Sequence, residues 1–163
     1  MSVDQIVSIH DRIVVGVDGS EASKLALRWA SSLAEGTGST VEVVAAWEPF
    51  TAYGWIGAEY ATMPSDWNPG SDAEKALGAT VDEVFGEHRP PRLELKVREG
   101  NPAKVLLELS EGARMLVVGS RGHGGFAGLL LGSVSAACTE HAICPVLVVH
   151  GTTPSPTRTE AAS

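Results

Sequence analysis

Cysteine is scarce: of 163 residues only Cys138 and Cys144 carry thiols. Two are too few for the disulfide frameworks that staple small secreted domains, so both are expected as reduced, mostly buried thiols of a cytoplasmic protein. Positive charge is also in short supply, with 12 Lys and Arg against 20 Asp and Glu, a formal charge of −8. Such a chain suits neither a nucleic-acid backbone, whose binding rests on Lys and Arg displacing counterions, nor an anionic membrane surface. Long hydrophobic runs are missing: none approaches the ~18 residues of a membrane span. Residues 1–10 lack the basic start of a secretory leader and carry Asp4 within their short apolar run, so they are expected as an arm rather than a signal.

Glycine, in contrast, is plentiful: 18 residues, seven of them between positions 112 and 132. The length suits one domain with a sizeable core, expected over residues 11–150. Five short apolar runs alternate with helix-like segments, the mark of a parallel sheet covered by helices. Residues 13–17, Ile-Val-Val-Gly-Val, are apolar on both faces and read as a central strand. It stops at Asp18-Gly19-Ser20. A helix follows in which Leu25, Trp29 and Leu33 recur at four-residue spacing beside Ala22, Ala26 and Ala30, until Gly36 and Gly38 end it. Residues 41–47 read as the second strand.

Residues 48–70 show no period, and six of the nine aromatic residues lie in or beside them; such a stretch is either a loop packed on the sheet by its rings or a functional lid. Ser71-Asp72-Ala73-Glu74 has capping-box spacing, which predicts a helix from Ser71 to about Gly86 with Ala73, Ala76, Leu77, Val81, Val84 and Phe85 facing the core. Residues 92–98 alternate strictly between polar and apolar, the pattern of a strand at a sheet edge. Asn101-Pro102 opens the next helix, since Asn caps free N–H groups and Pro has none to leave unpaired; Val105, Leu106 and Leu109 give its core face and Gly112 closes it. Residues 115–118 are a second fully apolar strand, 133–142 a helix and 145–149 the last strand. The tail over 151–163, rich in Pro, Ser and Thr, is expected to bury almost nothing and to be disordered.

The informative segment runs from Gly119 through Ser120, Arg121, Gly122, His123, Gly124 and Gly125 to Gly132 and Ser133. It leaves the carboxyl end of a central strand and enters a helix, where open α/β sheets bind ligands. Glycines let backbone N–H groups approach a ligand, and the helix N-terminus adds partial positive charge. With the hydroxyls of Ser133 and Ser135 and with Arg121 and His123 nearby, the favoured ligand is a phosphate. A P-loop is excluded, because no Gly-Lys pair occurs anywhere in the chain. Residues 122–127 match the dinucleotide fingerprint G-x-G-x-x-A, but not after the first strand, and the next acid, Glu140, falls within a helix.

A third pattern is more specific. Gly119-x-x-Gly122, nine further residues, then Gly132-Ser133 resembles the nucleotide-binding signature of the universal stress protein family. The likeness extends from about Arg12 to His150: Val14 to Ser20 is similar to the family's first strand and turn, and Cys144 to Val149 to its closing strand. The resemblance implies an α/β fold with an open five-stranded parallel sheet of order 3-2-1-4-5 and helices on both faces, Rossmann-like in kind. It also implies the ATP-binding subclass, which carries the glycine signature. Carried over residue by residue, Asp18 would accept hydrogen bonds from the ribose hydroxyls and Gly16 would lie under the nucleoside. Ala46 and Gly100 would flank adenine. Gly119, Gly122, Gly132 and Ser133 would hold ribose and phosphates, with Val134 and Ser135 completing the helix N-terminus. Val118, Arg121, His123 and Gly124 complete the nucleotide-binding set, Arg121 and His123 at variable positions. Mg2+ or Mn2+ would be held through the phosphates, since no carboxylate cluster is visible to hold one.

Plainer readings exist for the same residues. Asp18-Gly19-Ser20 is also a standard turn and helix cap, and the glycines are also what a mobile loop contains. His10, His88, His141 and His150 show no metal-site spacing and read as surface or packed side chains. No nucleophile triad or Walker B acid commits the chain to a reaction. The leading expectation is therefore an ATP-binding stress-response regulator that acts by binding. The alternatives are a cAMP-sequestering protein using the same pocket, and a slow ATPase or phosphotransferase. The last strand, apolar on both faces yet at an edge, invites pairing with another chain; the resemblance implies a homodimer through Val146–Val149.

Overall fold

The computed structural model describes residues 11–48, 68–121 and 131–156. In order these form β1 (Arg12–Gly16), α1 (Glu21–Thr37), β2 (Thr40–Trp47), α2 (Pro69–Phe85), β3 (Leu93–Glu99), α3 (Pro102–Leu109), β4 (Met115–Gly119), α4 (Ser133–His141) and β5 (Val146–Val149). The arm over 1–10, the aromatic residues of 49–67, and 157–163 lie outside the described residues.

The strands make one sheet of order β3-β2-β1-β4-β5, every pairing parallel. β1 and β4 carry runs of Val, Ile and Leu that are buried on both faces, so each must be covered twice. Side chains alternate between the faces. Ile13, Val15, Val43 and Val117 pack with Leu27, Ala30, Leu77 and Val81 of α1 and α2; Val14, Val44, Leu116 and Val118 pack with Val105 and Leu106 of α3 and Cys138 of α4. β3 is the expected edge, with Glu94, Leu95, Arg98 and Glu99 exposed. Burial, and secondarily the nearby Cys144 thiol, pushes the Cys138 thiol up to about 11. It therefore stays protonated and inert at neutral pH.

Several boundaries differ from the sequence reading, each for a local reason. Gly36 does not end α1; it lies inside the last turn, and Gly38 ends the helix by adopting φ 70° and donating its N–H to the Ala34 carbonyl. α2 begins at Pro69, not Ser71. Asn68 caps it through a side-chain oxygen that accepts from the Ser71 N–H, so Ser71 is an interior residue and the capping box does not form. The governing signal is Asn68-Pro69, the same pair that opens α3 at Asn101-Pro102. On α2, Leu77, Val81 and Val84 are buried whereas Ala76 faces outward. α3 stops at Leu109 with Ser110 as its cap, and Gly112, at φ 74°, turns the chain afterwards. The first part of the expected tail packs: Thr153 and Pro156 are half-buried, and the Trp29 indole donates to the Pro154 carbonyl at 3.1 Å.

A carboxylate in β2 escaped the sequence reading. Glu42 is buried on the α3 face and accepts from Arg12 at 3.2 Å and from Lys96 at 3.0 Å. Arg12 also donates to the carbonyls of Leu109 and Glu111. One carboxylate thus joins β1, β2, β3 and the end of α3. On the other face Lys24 joins α1 to α2 through Glu83 and also pairs with Glu21 on its own helix, and the Glu83 bond, followed by that to Glu21, raises its pKa. Removing one partner of a buried ion pair costs about 3–5 kcal/mol. Both cations keep about 30% exposure, so Glu42→Ala is expected to cost about 1–3 kcal/mol. Urea denaturation that shows an unchanged midpoint would contradict this account of the cluster.

Candidate functional site

Because the five strands are parallel, their carboxyl ends share one edge of the sheet. The order 3-2-1-4-5 reverses winding direction between β1 and β4, and the crevice at such a reversal is where open α/β sheets take ligands. Gly16 ends β1 and Asp18 follows it, Ala46 lies near the end of β2, Gly100 follows β3, Val118 and Gly119 end β4 and Arg121 follows it. Gly132, Ser133, Val134 and Ser135 open α4. These expected site residues therefore collect at one end. Gly122, His123 and Gly124 lie outside the described residues.

Asp18 is exposed, and its Oδ1 accepts from the Ser20 N–H at 3.0 Å and from the Ser20 hydroxyl. Ser20 in turn caps α1 by accepting from the Ser23 N–H, while the Ser23 hydroxyl reaches the Asp18 N–H at 3.3 Å. The turn-and-cap geometry is thus present at Asp18. A carboxylate has about four acceptor sites in all, more than the turn and cap alone use.

The glycines make three different close approaches. A Cβ at Gly16 would sit 2.7 Å from Cδ1 of Leu106, so α3 presses its leucine over the end of β1. A Cβ at Gly119 would sit 2.9 Å from the carbonyl carbon of Ala22 and 3.0 Å from the Ser23 nitrogen, so the first turn of α1 rests on the end of β4. Gly100 has φ 138°, a conformation L side chains rarely adopt, and its N–H donates to the Trp47 carbonyl at 2.8 Å. This bond draws the start of the β3–α3 turn against the end of β2, beside half-buried Ala46.

Beyond β4, Ser120 is the junction, and sequence reasoning passed over it. Its N–H donates to the Val149 carbonyl at 2.8 Å, and its carbonyl accepts from the Gly132 N–H at 2.7 Å and the Ser135 hydroxyl at 2.8 Å. The strand end, the start of α4 and the end of β5 are therefore pinned at one buried residue. Ser135 is itself buried and Val134 packs on the core, whereas Ser133 is exposed at the first helical position. α4 differs from the other three described helices at its N-terminus. Ser20, Asn68 and Asn101 cap α1, α2 and α3 with side-chain oxygens, but Gly132 brings no side chain to α4. The N–H groups of its first turn, which a helix cannot satisfy internally, face the carboxyl edge of the sheet with their partial positive charge. Among the described residues no group of three or more His, Cys, Asp or Glu is arranged to hold a metal ion, and no helix is long and apolar enough to cross a membrane.

An open, all-parallel sheet with a glycine near the end of both central strands and a helix without a side-chain cap beyond one of them defines a doubly wound α/β protein. The chain belongs to the universal stress protein family, whose model matches residues 10–150. A universal stress protein of Mycobacterium tuberculosis is 35% identical over 158 residues, covering 88% of this chain and 50% of the relative. The chain thus spans about half the length of that relative. Among solved structures, UspA of Lactobacillus plantarum superposes with a TM-score of 0.66 at 19% identity, covering 86% of this chain and 97% of that one. A universal stress protein solved in complex with cAMP gives a TM-score of 0.56 at 28% identity, covering 88% of this chain and 98% of that one.

The close approaches separate glycines that packing requires from those it does not. Gly119→Ala would force a methyl group into the backbone of α1 and is expected to lower stability by about 1–3 kcal/mol. Gly36→Ala meets nothing within 4 Å and is expected to raise stability by about 0.5–1 kcal/mol, as an Ala replacing a helical Gly. Thermal melts of the two variants should move in opposite directions; a neutral Gly119→Ala would show that β4 and α1 are not in this contact.

Proposed function

We propose that the chain binds an adenine nucleotide, ATP in the first instance, at the carboxyl edge of its sheet, and serves as a cytoplasmic stress-response regulator by binding rather than by rapid turnover. The observation that carries this reading is the start of α4, without a side-chain cap and entered from the signature glycines, across the reversal point from Asp18. The fit of the residues to the ligand supports it. The N–H groups of Ser133, Val134 and Ser135 and the exposed Ser133 hydroxyl would hold phosphate oxygens, with Gly119 letting α1 close against the end of β4 beside them, Gly122 keeping the approach clear and Arg121, His123 and Gly124 completing the set. The Gly132 N–H is not available for this, being given to Ser120. Asp18 would take the ribose hydroxyls beside its own turn, Gly16 and Val118 would floor the crevice, and Ala46 and Gly100 would flank adenine. Mg2+ or Mn2+ would arrive with the phosphates, where it neutralises their charge. The nucleotide acts by favouring the conformation to which it binds more tightly.

The relative solved with cAMP favours one second reading, a cyclic-nucleotide sink in the same crevice. Calorimetry on the full chain stripped of nucleotide, with Mg-ATP and with cAMP as competitor, decides between them. Saturable Mg-ATP binding that cAMP fails to displace is expected. Gly132→Asp is the informative variant, because an Asp there caps α4 and is expected to stabilise the fold by about 0.3–1 kcal/mol while its charge repels phosphate. Higher stability with at least tenfold weaker Mg-ATP binding supports the site; no binding by the wild type, or full binding by Gly132→Asp, would sink it.

We also propose that the chain forms a homodimer through β5. This strand lies at the edge of the sheet, with Val146, Leu147 and Val148 only half-buried and Ile143 beside it 81% exposed. An apolar edge of this kind is completed by a second copy across a two-fold axis, and two copies would approach the length of the longer relatives. Light scattering at micromolar concentration should give twice the 17.0 kDa chain mass; a monomer mass would count against the pairing.

A further inference from the structure

The segment after β5 is joined to the candidate site from both sides. Its first residues follow Val149, whose carbonyl holds the Ser120 N–H, while the Ser120 carbonyl holds Gly132 and Ser135 at the start of α4. The chain then turns, the Thr153 N–H donating to the His150 carbonyl at 2.9 Å, and crosses the first turn of α1. There a Cβ at Gly151 would lie 3.9 Å from Ala22, the residue on which Gly119 also rests. The same turn of α1 is capped by Ser20, which is held by Asp18. Farther along, the Trp29 indole secures the segment at Pro154.

Between these two anchor points the fit is loose. A groove of about 280 Å³ lies beside the segment, lined by Lys24, Leu25, Arg28, Val84, Thr153 and Ser155 among others. The groove leaves room beside the segment, while its near end is tied through Val149 to Ser120 and runs past Ala22.

We propose that residues 150–156 form a strap whose seating on α1 is linked to occupancy of the carboxyl-edge site, and this rests on the nucleotide reading given above. A phosphate held at α4 fixes Gly132 and Ser120, and through Ser120 the end of β5. A ribose on Asp18 fixes the cap of α1. Both supports of the strap's near end are then immobilised, and the strap seats more firmly. Linkage is reciprocal, so loosening the strap weakens the nucleotide by the same factor that the nucleotide tightens the strap.

The test uses the full chain with 15N-labelled tryptophan, the Trp29 indole N–H being assigned by its loss in Trp29→Phe. Adding Mg-ATP is expected to slow solvent exchange of that N–H. Trp29→Phe, which removes the donor but keeps an aromatic ring, and Gly151→Val, which crowds Ala22, are each expected to weaken Mg-ATP by about fivefold, the lower end of ordinary coupling. Wild type that binds Mg-ATP with an unchanged Trp29 exchange rate, or two variants that keep wild-type affinity, would overturn the strap and leave the nucleotide reading standing. Wild type that binds no nucleotide overturns both.

Discussion

The constraint on which the rest of the structure depends is that all five strands run the same way. Parallel neighbours cannot be joined by short hairpins, so each return passes through a helix, and the helices fall on both faces. That alone accounts for the double burial of β1 and β4 and for two separate apolar layers. It also gives the sheet a direction. Every strand ends at the same edge, and there each chain segment must turn in a confined space. Glycines occur at these turns for steric reasons as well as for ligand access: Gly16 accommodates Leu106, Gly119 accommodates α1, and Gly100 bends the backbone as other residues rarely can.

The two ends of the sheet are built differently. At the amino-terminal end, Arg12, Glu42 and Lys96 draw three strands together, with the end of α3 tied in through Arg12. Side chains of opposite charge are bonded to one another there. At the carboxyl end the polar groups are mostly main-chain: the Ser120 junction, the Asp18 turn and the start of α4. Side-chain ion pairs thus mark one end of the sheet and main-chain bonds the other.

The strands and the edge character of β3 were legible in the sequence because period and apolarity report burial directly, whereas the order 3-2-1-4-5, and with it the edge position of β5, came only from the resemblance to the universal stress protein family. Residues 13–17 and 115–118 had to be central, and the alternation over 92–98 had to be an edge. Local helix boundaries were less legible, since two capping signals competed near Ser71 and only the geometry of Asn68-Pro69 shows which prevails. Glu42 was hidden for a different reason. One carboxylate in an apolar strand says nothing about its partners, which come from positions 30 and 54 residues away. Of the candidate site, the residue types and their gathering at one edge could be anticipated. The use of Ser120 as a three-way junction could not, because its partners Val149, Gly132 and Ser135 meet only once the sheet has formed.

The contrast between the outer strands has a consequence for growth. β3 presents Glu94, Arg98 and Glu99 to solvent, whereas β5 presents valine and leucine. A sheet with two receptive margins can add copies without end, as fibres do. Here one margin is receptive and the other is guarded by charge, so any association that begins at β5 has no second place from which to continue. Pairing through β5 would on this account stop at two copies.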